Sequence, residues 1–165
     1  MTSKNDPRPI LVPVDFSPCA EAALLYALEI AEKLGAPLTV LHVVHDLGDA
    51  PGYYSVKGRK KQLRRMEDVA ADMLSEFTLK MIEKGDGNPL LEKAETKLVV
   101  GLPVSRILET AKKIDARMII MGSQGRTGLA HVLLGSKAEQ LVRLSPLPVM
   151  IVKEGCNKET DSKSK

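Results

Sequence analysis

The part of this chain best equipped for chemistry is a segment rich in glycine, hydroxyl and cationic residues between positions 122 and 137. Glycine carries no side chain, so it tolerates positive φ angles and lets a ligand approach the main chain closely. The segment ends at the start of a predicted helix, where N–H groups and the helix dipole favour an anion. We therefore expect it to hold a phosphate group. Its candidate binding residues are Gly122, Ser123, Gly125, Arg126, Gly135, Ser136 and Lys137.

Two common phosphate-binding motifs are absent from the sequence. There is no G-x-x-x-x-G-K-[ST] segment, so the glycine-rich loop is not a Walker loop. The turn after the first predicted strand reads Asp15-Phe16-Ser17-Pro18 and lacks the G-x-G-x-x-G pattern of dinucleotide-binding proteins. A nicotinamide or flavin cofactor is accordingly disfavoured.

Short apolar runs alternate with stretches of helical periodicity along the chain, which predicts a parallel sheet covered on both faces. Right-handed crossovers favour a Rossmann-like, doubly wound α/β fold with strand order 3-2-1-4-5 and four helices in a three-layer α/β/α sandwich. Ligands bind such sheets beyond the carboxyl ends of the strands, where the strand order reverses. The glycine-rich segment begins at one of these strand ends. The predicted strands cover residues 10–14, 38–44, 95–100, 118–121 and 149–152.

Four helices are predicted, and two of them have recognisable starts. Ser17 is expected to cap the first helix, with Pro18 at the first helical position. Residues 136–139 have the spacing of a capping box, which predicts that the last helix starts at Ser136 with Glu139 engaged in its cap. The other two helices are expected to begin near Lys57 and at Pro103. The second helix is predicted to bury a stripe formed by Leu63, Met66, Ala70, Met73, Phe77 and Met81.

Composition limits the classes of function. The chain has 165 residues, of which 44% are hydrophobic and only 3% aromatic, and its net charge is +3. These values predict one domain with an aliphatic core, and they argue against a base-stacking nucleic-acid platform. The mild charge gives no indication of a nucleic-acid or membrane partner. We expect a domain over residues 10–153, between a flexible N-terminus at 1–9 and a disordered tail at 154–165.

The expected compartment is the cytoplasm. The chain has two cysteines, Cys19 and Cys156, which is too few for a disulfide framework and fits a reducing compartment. Residues 1–9 are polar and do not resemble a signal peptide. No apolar run has the length of a membrane span, so no membrane insertion is predicted.

Other polar clusters have simpler interpretations than a binding site. His42 and His45 are three apart on a predicted strand and therefore point to opposite faces, which disfavours a shared metal. Structural or surface roles are favoured for both. The basic run at 57–65 is most simply a solvated helix face, following an irregular loop at 46–56.

The spacing Gly122-x2-Gly125-x9-Gly135-Ser136 resembles the nucleotide motif of the universal stress protein family. The likeness extends from about Ile10 to Lys153, which leaves out only the two tails. The segments that carry it are 10–17, 41–44, 121–129 and 146–152. Together they form a far more specific pattern than the glycines alone.

The resemblance is to the ATP-binding branch of that family, and it implies ATP, or ADP or AMP, as the ligand. The turn formed by Pro13, Val14 and Asp15 would cradle the adenosine, with Asp15 as the partner of the ribose hydroxyls. Val43, on the second strand, would pack on the adenine. Met121 would line the same pocket.

The resemblance also places the phosphates along the glycine-rich loop, at Gly122, Gly125, Gly135 and Ser136. It implies Mg²⁺ or Mn²⁺ bound through the phosphates, with Asp15 as the candidate protein ligand of the metal. Family members commonly form a homodimer through their last strand, here Val149–Val152. A regulatory partner is implied as well, but its identity is not.

Some positions depart from the commonest family pattern. Lys137 replaces a small or apolar residue beside the expected phosphates, where it either strengthens the binding of a triphosphate or points to solvent. Gln124 replaces a frequent histidine, and Arg117 replaces a frequent acidic residue.

Three functions remain open at this point. The first is a nucleotide-dependent regulatory or stress-response protein, the second is a slow ATPase, and the third is a dimeric stress scaffold with a structural nucleotide. Hydrolysis requires a base or a positioned water near the γ-phosphate. Because Glu139 is assigned to the capping box, the loop offers no convincing base, and the sequence favours binding over turnover.

Overall fold

The computed structural model describes residues 8–45, 59–125 and 134–153, and in this part of the chain five strands form one all-parallel sheet. The strand order is β3-β2-β1-β4-β5. Both the predicted Rossmann-like fold and the predicted strand order are confirmed. The strands are β1 (Ile10–Pro13), β2 (Leu38–His45), β3 (Glu95–Gly101), β4 (Met118–Gly122) and β5 (Val149–Val152).

The described residues form five helices, one more than the sequence predicted. The additional helix is a single turn, α3. Its Asn88 side chain accepts a hydrogen bond from the Leu90 N–H at 2.9 Å, and Pro89 occupies the first turn. These are ordinary features of a helix start. The helices are α1 (Pro18–Leu34), α2 (Arg59–Lys84), α3 (Pro89–Glu92), α4 (Pro103–Lys113) and α5 (Ser136–Leu144).

Helix α1 begins where the sequence predicted. The Ser17 hydroxyl accepts a hydrogen bond from the Ala20 N–H at 3.2 Å, and Pro18 stands at the first helical position. Gly35 ends the helix in the left-handed conformation, with φ 62°. This helix follows β1 directly, so its capped start lies at the carboxyl edge of the sheet.

Two apolar layers cover the sheet and complete a three-layer sandwich. On one face, Ile10 and Val12 of β1 pack with α1, α2 and α3. On the other face, Leu11 of β1 packs with Ile107 of α4 and Leu141 of α5. Alternate residues of the central strand thus serve opposite layers, as expected for a sheet buried on both faces.

The predicted inward stripe of α2 is confirmed at Ala70, Phe77 and Met81 and is wrong at Met66. Met66 is 47% exposed, whereas Leu74, which the prediction left out, is 5% exposed. The helix buries Ala70, Leu74, Phe77 and Met81. Met66 and Leu74 are both apolar and both lie at helical spacing from the buried residues, so periodicity alone does not show which of the two is buried.

The predicted capping box at the start of α5 is also wrong. Gly135 is the N-cap residue, and it has no side chain with which to cap this helix. Ser136 is therefore inside the helix, and Glu139 has an exposed side chain in the first turn. Glu139 is not committed to a cap, so a capping role does not exclude it as a base for hydrolysis.

Cys19 is disulfide-bonded, which corrects the expectation of reduced cysteines.

No helix within the described ranges is long and apolar enough to cross a membrane. Several predictions fall on residues that the structure does not describe: most of the N-terminal segment 1–9, the loop at 46–56, Arg126 and the tail at 154–165. These stay predictions.

Candidate functional site

A cleft of about 600 Å³ opens at the carboxyl ends of the strands. It lies where β1 has β2 on one side and β4 on the other, which is the point where the strand order reverses. All predicted site residues that the structure describes line this cleft. They are Pro13, Val14, Asp15, Val43, Met121, Gly122, Ser123, Gly125, Gly135, Ser136 and Lys137.

The Asp15 carboxylate is held by the start of α1. Its Oδ1 accepts hydrogen bonds from the Ser17 N–H at 3.1 Å and from the Ser17 hydroxyl at 2.5 Å. The other oxygen, Oδ2, points towards Gly125, because a Cβ added to that glycine would lie 2.7 Å from it. The turn after β1 therefore presents a fixed acceptor beside the glycine-rich loop.

Gly122 is required by packing as well as by its place in the cleft. A Cβ at this position would lie 2.8 Å from the Cβ of Cys19 and 2.9 Å from the carbonyl carbon of the same residue. The end of β4 can thus approach the first turn of α1 only without a side chain. This close approach narrows the cleft between the two elements.

Main-chain hydrogen bonds around Ser123 bring the two ends of the glycine-rich loop together. The Ser123 N–H donates to the Val152 carbonyl at 2.9 Å, which extends the β4–β5 pairing. The Ser123 carbonyl accepts from the Gly135 N–H at 2.7 Å. A Cβ at Gly135 would lie 3.2 Å from the same carbonyl oxygen. The start of α5 is consequently fixed beside the end of β4.

The first turn of α5 forms the cationic end of the cleft. Ser136 and Lys137 are exposed and line the cleft, and the N-cap residue Gly135 offers no side-chain acceptor to the helix. Uncapped N–H groups at a helix start, together with the helix dipole, favour an anion.

The opposite end of the cleft is largely apolar and includes residues that the sequence analysis did not assign to the site. Val43 and Met121 are half-buried there, beside Pro103 and Ile107 from the start of α4. His45 stands two residues after Val43 and also lines the cleft. Two of these residues have a signal in the sequence. Pro103 follows a strand end, and His45 lies two residues from Val43 and so on the same face of the strand.

His42 also borders the cleft, but its ring packs away from the apolar end. Its Nδ1 lies 2.8 Å from the Val14 carbonyl, and its ring stacks on Phe16 with centroids 4.2 Å apart. A carbonyl oxygen only accepts, so Nδ1 carries the proton of this hydrogen bond. The structural role that the sequence favoured for His42 agrees with these contacts.

Among the described residues, no group of three or more His, Cys, Asp or Glu side chains could hold a metal ion. Asp15 is the one carboxylate among the described residues that line the cleft. Mg²⁺ is often held by one or two carboxylates together with substrate phosphates and water. The cleft residues therefore fit a metal that arrives with a phosphate ligand.

Residues 7–153 match the universal stress protein family. The chain belongs to this family. Among the curated universal stress proteins, MJ0577 of Methanocaldococcus jannaschii is 30% identical over 153 residues, which cover 88% of this chain and 94% of that protein. The predicted membership of this family is thus confirmed, and the match covers nearly the whole chain.

Solved universal stress proteins share the fold. The structure of UspA from Lactobacillus plantarum matches with a TM-score of 0.71 at 26% identity, covering 89% of this chain and 98% of that one. A universal stress protein from Archaeoglobus fulgidus, solved in complex with dAMP, matches with a TM-score of 0.55 at 26% identity, covering 88% of this chain and 98% of that one.

Proposed function

We propose that this universal stress protein binds ATP, or ADP or AMP, and acts as a nucleotide-dependent regulatory protein in a stress response. The observation that carries the proposal is the cleft at the strand-order reversal. An apolar wall, a fixed carboxylate and the start of a helix all line this cleft, and their chemistry suits a base, a sugar and a phosphate respectively. The dAMP complex of the Archaeoglobus relative supports an adenine nucleotide as the ligand class.

The proposed roles follow the chemistry of each part of the cleft. Val43 and Met121 pack against the adenine, and the turn Pro13–Asp15 holds the nucleoside, with Asp15 accepting from the ribose hydroxyls. Lys137 adds positive charge beside the phosphates, as does Arg126, which lies outside the described residues. The other phosphate-binding groups are Gly122, Ser123, Gly125, Gly135 and Ser136.

We assign Mg²⁺ or Mn²⁺ to the phosphates, with Asp15 as the candidate protein ligand. Such an ion would neutralise phosphate charge when bound. The residues of this chain bind and orient the nucleotide: the Asp15 carboxylate from one side, and the α5 N–H groups from the other.

Binding is favoured over turnover because the described residues of the cleft include no carboxylate besides Asp15. Glu139 is free of the cap, but it does not line the cleft. Asp15 does line it, and its Oδ1 is engaged by Ser17. No other carboxylate of the described residues lines the cleft to act as a base for an attacking water. Slow ATP hydrolysis and a structural nucleotide are the alternatives to be tested.

We further propose a cytoplasmic protein that forms a homodimer through β5 and is read by a regulatory partner. Strand β5 is an edge of the sheet and is apolar throughout, and such an edge requires a cover.

Calorimetric titration of the purified protein with ATP, ADP and AMP, with and without Mg²⁺, tests the proposal. We expect saturable binding of at least one of the three. Gly135→Val should abolish it, because even a Cβ would lie 3.2 Å from the Ser123 carbonyl. Absence of binding at millimolar nucleotide would refute the proposal. Release of phosphate that accompanies the protein through purification would favour the ATPase alternative.

A further inference from the structure

Phe16 has an unusual backbone conformation next to the cleft. Its φ is 65°, in the left-handed region that glycine favours. A residue with a bulky side chain is strained in this conformation. Phe16 lies between Asp15, which lines the cleft, and Ser17, which binds the Asp15 carboxylate. Something must therefore hold this turn in place against the backbone strain.

Two aromatic contacts hold the Phe16 side chain. Its ring stacks on His42, with centroids 4.2 Å apart and an interplanar angle of 28°. On α2, the ring of Phe77 lies 5.6 Å away at 58°. Phe77 is buried, so the Phe16 ring is anchored to the main core layer.

His42 also fixes the residue on the other side of Asp15. Its Nδ1–H donates to the Val14 carbonyl at 2.8 Å. One imidazole therefore contacts both chain neighbours of Asp15, through a hydrogen bond to Val14 and through a stack on Phe16. The main chain can rotate at Asp15 only if one of these contacts breaks.

We infer that Phe16 and His42 are positioning residues that aim the Asp15 carboxylate at the sugar of the nucleotide. The inference rests on the proposed function, since it requires Asp15 to bind the ribose hydroxyls. Ser17 fixes one carboxylate oxygen, while His42 and Phe16 fix the main chain that carries it. The strained φ is maintained because a relaxed turn would move the second oxygen away from Gly125.

The test compares the affinity for ATP with that for 2′,3′-dideoxy-ATP, which lacks both hydroxyls. A hydrogen bond to a charged acceptor corresponds to about tenfold or more in affinity, so the wild-type protein should prefer ATP by about that factor. Phe16→Gly permits the same φ without strain but removes the ring. His42→Phe keeps an aromatic ring but removes the donor to Val14. In both variants the preference should fall to about twofold or less, while affinity for the dideoxy nucleotide stays close to that of the wild type.

One further measurement and three further variants distinguish the proposed role from a loss of folding. Circular dichroism checks that each variant is folded, and Phe16→Leu retains apolar bulk should Phe16→Gly fail to fold. His42→Asn, which restores a short side-chain donor, should recover part of the preference. Tyr26→Ala, at an exposed position of α1 outside the cleft, should leave it unchanged.

A folded variant that keeps the wild-type ratio of the two affinities would overturn the inference and leave the proposed function standing. This holds whether both affinities are unchanged or both fall equally, since an equal loss indicates a merely structural role. If the wild-type protein binds neither nucleotide, the proposed function falls and the inference falls with it. If the wild type binds both equally, Asp15 does not read the sugar, and the inference is overturned while nucleotide binding stands.

Discussion

Gly125 of the glycine-rich loop lies against the Asp15 carboxylate, and its missing side chain has a local consequence. A Cβ there would lie 2.7 Å from Asp15 Oδ2. Because a carboxylate tip can move aside, we expect Gly125→Ala to change the free energy of unfolding by less than about 1 kcal/mol. Displacement of the carboxylate should lower ATP affinity about tenfold, a change that calorimetry measures directly.

Gly87 provides the matched control for this prediction. It has a positive φ of 67°, and a Cβ added to it would meet no other atom within 4 Å. Gly87→Ala should therefore destabilise the fold by about 1–2 kcal/mol through backbone strain and leave ATP affinity unchanged. Wild-type ATP affinity in Gly125→Ala would contradict the place assigned to Asp15.

Lys137 should determine how strongly the site distinguishes nucleotides by their phosphate number. Its exposed side chain lines the cleft in the first turn of α5. One charge near the surface acts on each added phosphate with about 1 kcal/mol, and ATP has two phosphates more than AMP, so Lys137→Met should reduce the ratio of ATP to AMP affinity about thirtyfold. The effect should shrink as salt is added.

Arg143→Met, in the last turn of α5 and outside the cleft, is the control for loss of a charge on the same helix. An unchanged affinity ratio in Lys137→Met would show that the side chain points to solvent.

Part of the lining of the cleft was predictable from the residues themselves, whereas Pro13, Val14, Val43 and Met121 were predicted from the family resemblance. Glycines, a hydroxyl and a lysine at a helix start indicated an anion, and Asp15 at a strand end indicated a ligand contact. Sequence reasoning missed Pro103 and Ile107, because their place in the cleft depends on how α4 docks on the sheet. It also missed the stack of Phe16 on His42, since neither positive φ at a phenylalanine nor a contact between residues far apart in the chain has a sequence signal.

At the scale of the elements, Glu21 joins α1 to α2. Its carboxylate accepts hydrogen bonds from Lys80 at 2.5 Å and from Lys84. Partial burial raises the pKa of Glu21, but the two ammonium groups outweigh it and hold this pKa below its ordinary value of 4.5. Since both lysines are exposed, we expect the interaction to contribute about 1 kcal/mol or less.

The sign of the pH dependence follows from that lowered pKa. The folded state favours the ionised carboxylate, so its stabilisation is complete above 4.5 and is lost as the pH falls through the folded-state pKa. Glu21→Gln should be less stable than the wild type at neutral pH, and the two should converge in acid. Urea unfolding across this range measures the difference. Glu29→Gln, at an exposed position of α1, should show no such convergence; a pH-independent difference for Glu21→Gln would contradict the ion pairs.

The strands and the start of α1 were predictable because a single sequence signal marked each of them. The buried face of α2 and the cap of α5 were not, because the sequence allowed more than one choice. The strand runs and the Ser17 cap left little choice, and both are as expected. Helix α2 has apolar residues beyond its buried face, and packing against β2 and β3 decides that Leu74 is buried and Met66 is exposed. At α5 the capping-box spacing was present, but the hydrogen bond from Gly135 to Ser123 sets the cap one residue earlier.

For the whole molecule, the two edges of the sheet differ in chemistry. The β3 edge carries Glu95 and Lys97, and charged edge strands resist pairing with another chain. The β5 edge, Val149–Val152, has only apolar side chains. Ile151 of β5 is half-buried and belongs to neither core layer, so it can contact a second copy without a role in the monomer core.

Ile151→Lys should therefore convert the proposed dimer to a monomer with little loss of stability, because a buried, unpaired lysine would be costly only in the interface. Light scattering after gel filtration measures the mass. Thr96→Lys, on the opposite edge, should leave the dimer intact. A monomeric wild type, or a dimeric Ile151→Lys variant, would place the interface elsewhere or remove it.

The missing side-chain cap at Gly135 has one more consequence, which concerns how fast backbone protons exchange with water. A helix whose first turn has no capping side chain frays more readily at that end, so the first amides of α5 should exchange faster than those of α1, where Ser17 provides a cap. A bound phosphate would act as the missing cap. Nucleotide should then slow exchange at Ser136, Lys137 and Ala138 beyond any change in global stability, so that α5 itself reports whether the cleft is filled.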